Sequence, residues 1–396
     1  MAFGEFWGNI IYFLIFLLFI FFYPRLMVMQ ILLSLERSAK NLEILTQKGK
    51  NIVIRKISKN PGREIVRKVS EFLDFFVIEP VSLDPFGIIK KIEHILTLSE
   101  NRIKQFVKSL TPNFNSEERA NLMMGLSGAI SLNQVAKSVR HYVELIKKTK
   151  NLQLAIVLQM QLPLIEKISK ALFKGTEAFL NGWPVGDSIG ALAIASLITK
   201  RTKEIEEDTL IVEEKIGKRK VYLIKAKGPG GRLGKLGRAV EKIVKREKIA
   251  KIITVDAAVK LEGEKTGSVA EGVGVAIGGI GVDRAYIENI ATKEKIPLDS
   301  IIIKMSQEEA IIPMKKEILF SIPNVIEKIK ASISETRGKG KIIVVGVGNT
   351  CGVGNNKRDV KKAEEKIRKI AKIMEKREKE EKAKEKKGFL DWLTGF

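Results

Sequence analysis

The chain has 396 residues, enough for two domains, and 45% of them are hydrophobic, enough to fill a sizeable core. Its formal charge of +24 points to an anionic neighbour, either a membrane surface or nucleic acid. One cysteine, Cys351, excludes an internal disulfide framework and fits a reducing compartment, and two histidines, His94 and His141, leave little room for a His-rich metal centre or an HExxH protease.

Residues 6–23 carry no charge and consist mainly of Ile, Leu and Phe. At roughly 1.5 Å per residue such a helix just spans a hydrocarbon core of about 30 Å. A cleaved signal peptide would show a basic start and a small-residue cleavage site, neither of which is present. The expectation is an uncleaved anchor over 1–25, with Trp7 and Tyr23 at the interfaces. The basic residues Arg25, Arg37, Lys40, Lys48 and Lys50 that follow place the bulk of the chain in the cytoplasm, at the cell membrane.

A helical module is expected over 26–181. It begins with an amphipathic helix to about residue 51, followed by the turn-rich connector Glu79 to Phe86 with its two prolines. Helices then follow at 87–98, 100–110, 116–126, 132–148 and 152–180, and Ser116-Glu117-Glu118 makes a good start for one of them. Both histidines fall inside these helices and read as structural.

Residues 182–356 read as an α/β domain. Gly182 to Gly190 breaks the helix, and Asp187 and Ser188 stand at the start of the next one, 191–199. Strands are expected at 209–213, 220–225, 252–255, 273–277, 300–304 and 341–345, and helices at 236–246, 287–290 and 318–333. The run Ile252-Ile253-Thr254-Val255 ends on Asp256, at the carboxyl end of a strand, where open α/β sheets bind ligands. The glycine-rich loop Gly228 to Arg232, with Lys235 beyond it, suits an anion or a tight strand-to-helix turn equally. Gly346-Val347-Gly348-Asn349-Thr350-Cys351-Gly352 is only a weak match to a dinucleotide loop, and Cys351 reads as a buried thiol. The tail, 357–396, alternates charge and ends in the aromatic stretch Phe389 to Phe396, a candidate for a second contact with the bilayer interface.

The whole chain, from the anchor through Arg140-His141-Tyr142 and Gly186-Asp187-Ser188-Ile189-Gly190 to Gly346-Val347-Gly348-Asn349, resembles an archaeal membrane-anchored family of unknown function. Residues 186 to about 312 also resemble, more distantly, the germination protease of spore-forming bacteria and the hydrogenase-maturation endopeptidases, which share a phosphorylase/hydrolase-like fold. The similarity lies in Asp187-Ser188-Ile189-Gly190, in Val255-Asp256-Ala257, in Gly279-Ile280-Gly281-Val282-Asp283-Arg284 and in Lys295-Ile296-Pro297 before a strand. It implies a mixed three-layer α/β domain and a two-aspartate site made by Asp187 and Asp256. The metal-completing histidine of the maturation branch has no counterpart here, so no metal is expected. In those families the glycine-Asn strand loop precedes the first acid, whereas here it comes last. A circularly permuted sheet, with Asn349 folded back beside Asp187, follows as an expectation.

Two functions of different class emerge. One is a membrane-anchored hydrolase acting on a peptide or amide bond, in which Asp187 and Asp256 share a proton and Gly278, Gly279, Gly281 and Asn349 bind the substrate oxyanion. The other is a non-enzymatic scaffold that binds an anionic ligand or nucleic acid through Arg232 and Lys235.

Overall fold

The computed structural model describes residues 2–75, 87–277 and 281–394. The expected connector at 79–86 and Gly278 and Gly279 lie outside the described residues. So does the chain end at 395–396, and the backbone before it is helical to Thr394.

The expected anchor and the helix after it are one element, α1 (Ala2–Ile57). It is long and apolar enough to cross a membrane, with a stretch of mean hydropathy 2.1. Phe13, Phe19 and Leu26 stand about 60% exposed, while Val28, Ile31, Leu35, Ala39 and Leu42, at helical spacing, are buried against later helices. The short α2 (Arg63–Phe72) precedes α3 (Ile88–Leu110), α4 (Ser116–Thr149) and α5 (Leu152–Leu180).

Two breaks expected inside α3 and α4 do not occur. The hydroxyls at those points donate back along the helix, Thr97 to the Glu93 carbonyl (2.8 Å), Ser127 to that of Met123 (3.0 Å) and Ser131 to that of Ser127 (3.1 Å), so the turn is kept. The start of α4 is as expected, a capping box between Asn115 and Glu118. α1, α4 and α5 enclose one core around Leu35, Val143 and Leu158, and α2 and α3 close a second around Val69 and Val107. Both histidines lie exposed on this bundle rather than in its core.

After a single 3-10 turn at Gly186–Ser188 comes α6 (Ile189–Leu197), then β1 (Lys203–Glu206), β2 (Thr209–Ile216), β3 (Arg219–Ala226), α7 (Leu236–Val244), β4 (Ile249–Val259), β5 (Val269–Val273), α8 (Val282–Glu294), β6 (Leu298–Met305), α9 (Gln307–Ile311), α10 (Lys316–Leu319), α11 (Ile322–Glu335), β7 (Lys341–Gly346) and α12 (Lys357–Thr394). The seven strands form one mixed sheet in the order β1-β2-β3-β7-β4-β6-β5. β3, β7, β4 and β6 are parallel, and the edges are antiparallel. One face packs on α6, α11 and α12 through Ile253, Val255 and Val344, and the other on α7 and α8 through Ile252, Ile343 and Val345. Three layers result, as period-2 alternation on a doubly buried sheet requires.

Three strand expectations are corrected. The strand sought at 273–277 is β5, ending at Val273. Gly274 turns away at φ +108, and the Ser300 hydroxyl takes over, donating to its carbonyl and accepting from the Ala276 amide (2.9 Å). β4 does not stop at Asp256 but runs on to Val259 against β6. The charged β1, Lys-Glu-Ile-Glu, shows no apolar alternation and was not expected.

Candidate functional site at the carboxyl edge of the sheet

β7 and β4 end side by side at one edge of the sheet, the chain going from β7 toward α12 and from β4 into β5. α6 starts over these carboxyl ends. A methyl group on Gly190 would lie 2.3 Å from both the Val255 and the Val347 carbonyl oxygens, so only glycine allows the helix so close to the strand ends. The Val347 amide in turn donates to the Val255 carbonyl at 2.9 Å.

Asp187, in the turn before α6, meets the loop after β7. Its Oδ2 accepts the Asn349 amide at 2.7 Å, across 162 positions of sequence. Gly348 holds φ +111, and a Cβ there would fall 1.9 Å from the Asp187 carbonyl oxygen. Burial pushes the Asp187 carboxyl above the usual carboxylate range, and the Asn349 amide opposes that only in part. The residue as a whole is only partly buried.

Asp256 is 3% exposed, and its Oδ1 accepts the Ala257 amide at 2.7 Å. Strand alternation puts it with Ile252 and Thr254 on the face of α7 and α8, whereas Asp187 heads the helix on the other face. Both acids thus flank the Val347–Asn349 segment, which is bonded to Asp187 and to the residue before Asp256. Beside Asp256 on its face, the hydroxyls of Thr254 and Ser300 are 2.7 Å apart. Gly281, at φ +84, precedes α8 on that same side.

Two polar atoms in this cluster are buried without a hydrogen-bond partner, Oγ of Ser188 and Nδ2 of Asn349. The other end of the Asn349 carboxamide is engaged, its Oδ1 accepting the Cys351 amide at 2.8 Å. Among the described residues no three His, Cys, Asp or Glu side chains form a metal-holding group.

Of the two readings left open for the basic loop, an anion site or a tight strand-to-helix turn, its ion pairs favour the turn. Arg232, in a side chain only 9% exposed, is paired with Glu117 at 2.6 Å and Asp208 at 3.0 Å. Lys235 pairs with Glu100 at 2.9 Å, and Arg238 with Glu93 at 2.6 Å. Three of these carboxylates belong to α3 and α4. The loop is therefore a clasp between the helical module and the α/β domain, reinforced by Glu117 and Asn121 accepting the Gly230 and Gly231 amides. The sequence offers no sign of this pairing, because the partners lie more than a hundred positions away.

Sequence reasoning also missed Lys225, which is wholly buried at the end of β3, where its ammonium donates to the Ala226 carbonyl (2.8 Å) and to Asn355 Oδ1 (3.1 Å). Burial pushes it down to about 7, opposed by nearby Asp359. The signal was present, since counting by two from Val221 and Leu223 turns Lys225 inward. Cys351 is the buried thiol expected, pushed up to about 12 by burial, which leaves it a poor nucleophile.

Residues 9–182 match the family model described as protein of unknown function (DUF1512) N-terminal domain, and residues 185–354 match that of the domain of unknown function (DUF1512) C-terminal. No curated protein and no solved structure matches the chain.

Proposed function

The chain belongs to the DUF1512 family through both of its halves, and for it we propose a hydrolase of peptide or amide bonds, tethered to a membrane by α1 and worked by Asp187 and Asp256. What supports this reading is the placing of the Asp187 carboxyl, bonded to the Asn349 backbone amide and pushed upward by burial, beside a buried Asn349 carboxamide nitrogen with no partner. A carboxyl raised by burial is suited to act as the general acid, and Asp256, on the other side of the Val347–Asn349 segment, is assigned the base. Asp256 takes a proton from water as its oxygen attacks the carbonyl carbon. Nδ2 of Asn349 and the Gly281 backbone steady the oxyanion, and Asp187 gives its proton to the departing amine as the C–N bond breaks. The resemblance of these segments to the germination-protease pattern, with Asn349 beside Asp187 in the manner of a permuted sheet, supports the same roles.

Anchoring rests on the exposed apolar side chains of the first half of α1. The cytoplasmic basic flank and an interfacial role for the aromatic tail complete the proposed setting at the cell membrane. The rival anionic-ligand or nucleic-acid scaffold is weaker, because Arg232, Lys235 and Arg238 are already neutralised by carboxylates. The test is replacement of the chromosomal copy by Asp187→Asn and by Asp256→Asn, with quantitative proteomics. A common set of uncleaved precursors in both strains is expected, and proteomes indistinguishable from the parent would sink the hydrolase reading.

A further inference from the structure

The sheet has two edges, β1 and β5, and β5 lies antiparallel to β6, one strand away from the β4 that carries Asp256. Ser268 and Gly274 bond across to β6, the former accepting from Lys304 (2.8 Å) and the latter donating to Leu298 (3.0 Å). Both are even-numbered. In an antiparallel ladder a residue sends its N–H and C=O to the same side, and the next residue sends them to the other. The N–H and C=O of Val269, Glu271 and Val273 therefore point away from β6, three rungs of ladder on the outer side of the sheet. Val273 at the end of this edge is 93% exposed, and Glu271 and Gly272 are exposed with it. Native edges are blunted by shortness, charge, proline or bulges. β5 is short and carries Glu271, but residues 269–273 hold no proline and pair with β6 in unbroken register.

We infer that this edge of β5 takes up an extended polypeptide strand by β-sheet addition, and that the strand is the substrate of the carboxyl-edge site. This rests on the peptide-bond reading proposed above. Its chemistry follows from the rungs: alternate backbone donors and acceptors are satisfied only by another extended backbone. A second copy of the chain is a poorer occupant. Two-fold antiparallel pairing centred on β5 sets Glu271 opposite Glu271, and like charges directly opposed destabilise a pair. A foreign strand carrying lysine at that position complements the Glu271 side chain, which is 48% exposed with Lys328 only at 3.5 Å. The reach also fits. A strand added beyond β5 lies three strand spacings from β4, about 14 Å, which four or five extended residues cover at about 3.3 Å each. On the way, at the carboxyl edge, stand Val259 and Leu261, 61% and 73% exposed.

The test uses the full chain in detergent and a fluorescein-labelled octapeptide of alternating lysine and valine. Binding is expected to slow amide exchange at Val269, Glu271 and Val273 and to leave Ala270 and Gly272, already bonded to β6, unchanged. Val273→Pro removes an outward N–H without touching the β6 ladder. It should weaken binding about tenfold or more, the worth of one good hydrogen bond in an affinity, while Val273→Thr binds as the parent does. The same peptide N-methylated at alternate amides should not bind. Equal binding by Val273→Pro, or protection of the three amides that grows with protein concentration in the absence of peptide, overturns the inference. Asp187→Asn should bind the peptide normally, which separates the two proposals. Peptide binding without precursor accumulation in the Asp187→Asn strain removes the peptidase and keeps the edge. Accumulation without peptide binding removes the edge alone.

Discussion

Two polar clusters meet at the carboxyl edge of one sheet, and they are built on opposite rules. In the clasp around Arg232 every charge has its carboxylate and the loop amides have their acceptors. Around Asp187 a carboxyl is forced up by burial, and the neighbouring Ser188 hydroxyl and the Asn349 side-chain Nδ2 have no partner. Burying polar groups unpaired costs about 1–3 kcal/mol each, so a fold retains them where something other than stability is served. The first cluster holds the two halves together. The second has the signature of a site.

The contrast breaks most directly at Arg232. Arg232→Ala strands Glu117 and Asp208, and because Glu117 keeps a 31% exposed side chain the loss should fall at the lower end for broken buried pairs, about 3 kcal/mol. Urea denaturation of the detergent-solubilised chain measures it. Precursor processing per folded molecule should stay at the parental level, and a processing defect without destabilisation would put Arg232 in the site after all.

Lys225 sharpens the same contrast by pH. Its folded value of about 7 lies below the ordinary 10.5, so between those values the unfolded chain binds more protons than the folded one. Stability therefore rises with pH across that window and falls as pH drops toward 7. The slope is at most about 1.4 kcal/mol per pH unit, under about 3 kcal/mol from pH 7 to 9. Lys225→Met should flatten this rise, and an unaltered slope in the variant would assign it to another group.

A smaller effect is expected at Asn349. Asn349→Ala removes one hydrogen bond, to the Cys351 amide, worth about 1 kcal/mol. Because Nδ2 bonds nothing in the folded chain, the cost should stay near that figure while processing is lost outright. A variant that keeps processing its precursors would show the carboxamide to be a loop support only.

How much of this was legible beforehand depended on distance along the chain. Period-3.6 and period-2 patterns gave α5, β3, β6 and β7 nearly to the residue, because local burial sets them. The close approaches at Gly190 and Gly348 were not read, because a glycine in sequence does not say which distant backbone meets it. The clasp was illegible, since Arg232 and Glu117 are 115 positions apart and each looks like an ordinary surface charge. The serines inside α4 misled because a hydroxyl can end a helix or bond back into it, and only packing on α1 and α5 decides which. The end of β4 was read short for a related reason: Asp256 looked like a terminus, whereas β6 continues alongside and keeps the strand paired to Val259.

The last test divides the clusters most cleanly. Asp187 has its folded value raised, so above the ordinary carboxylate range the folded chain binds more protons than the unfolded one, and stability falls as pH rises through the raised value. Asp187→Asn carries no proton to lose and can still accept the Asn349 amide through its side-chain oxygen. At about pH 3.5, below the ordinary carboxylate value, the variant and the parent should unfold at similar temperatures, and by pH 8 the variant should be the more stable of the two. In the same variant, processing should vanish. A carboxylate that merely capped α6 would give the reverse, a variant weaker at pH 8 with processing intact, because an ionised cap stabilises the helix it heads. Thermal unfolding at the two pH values, read beside the precursor assay, tells these apart.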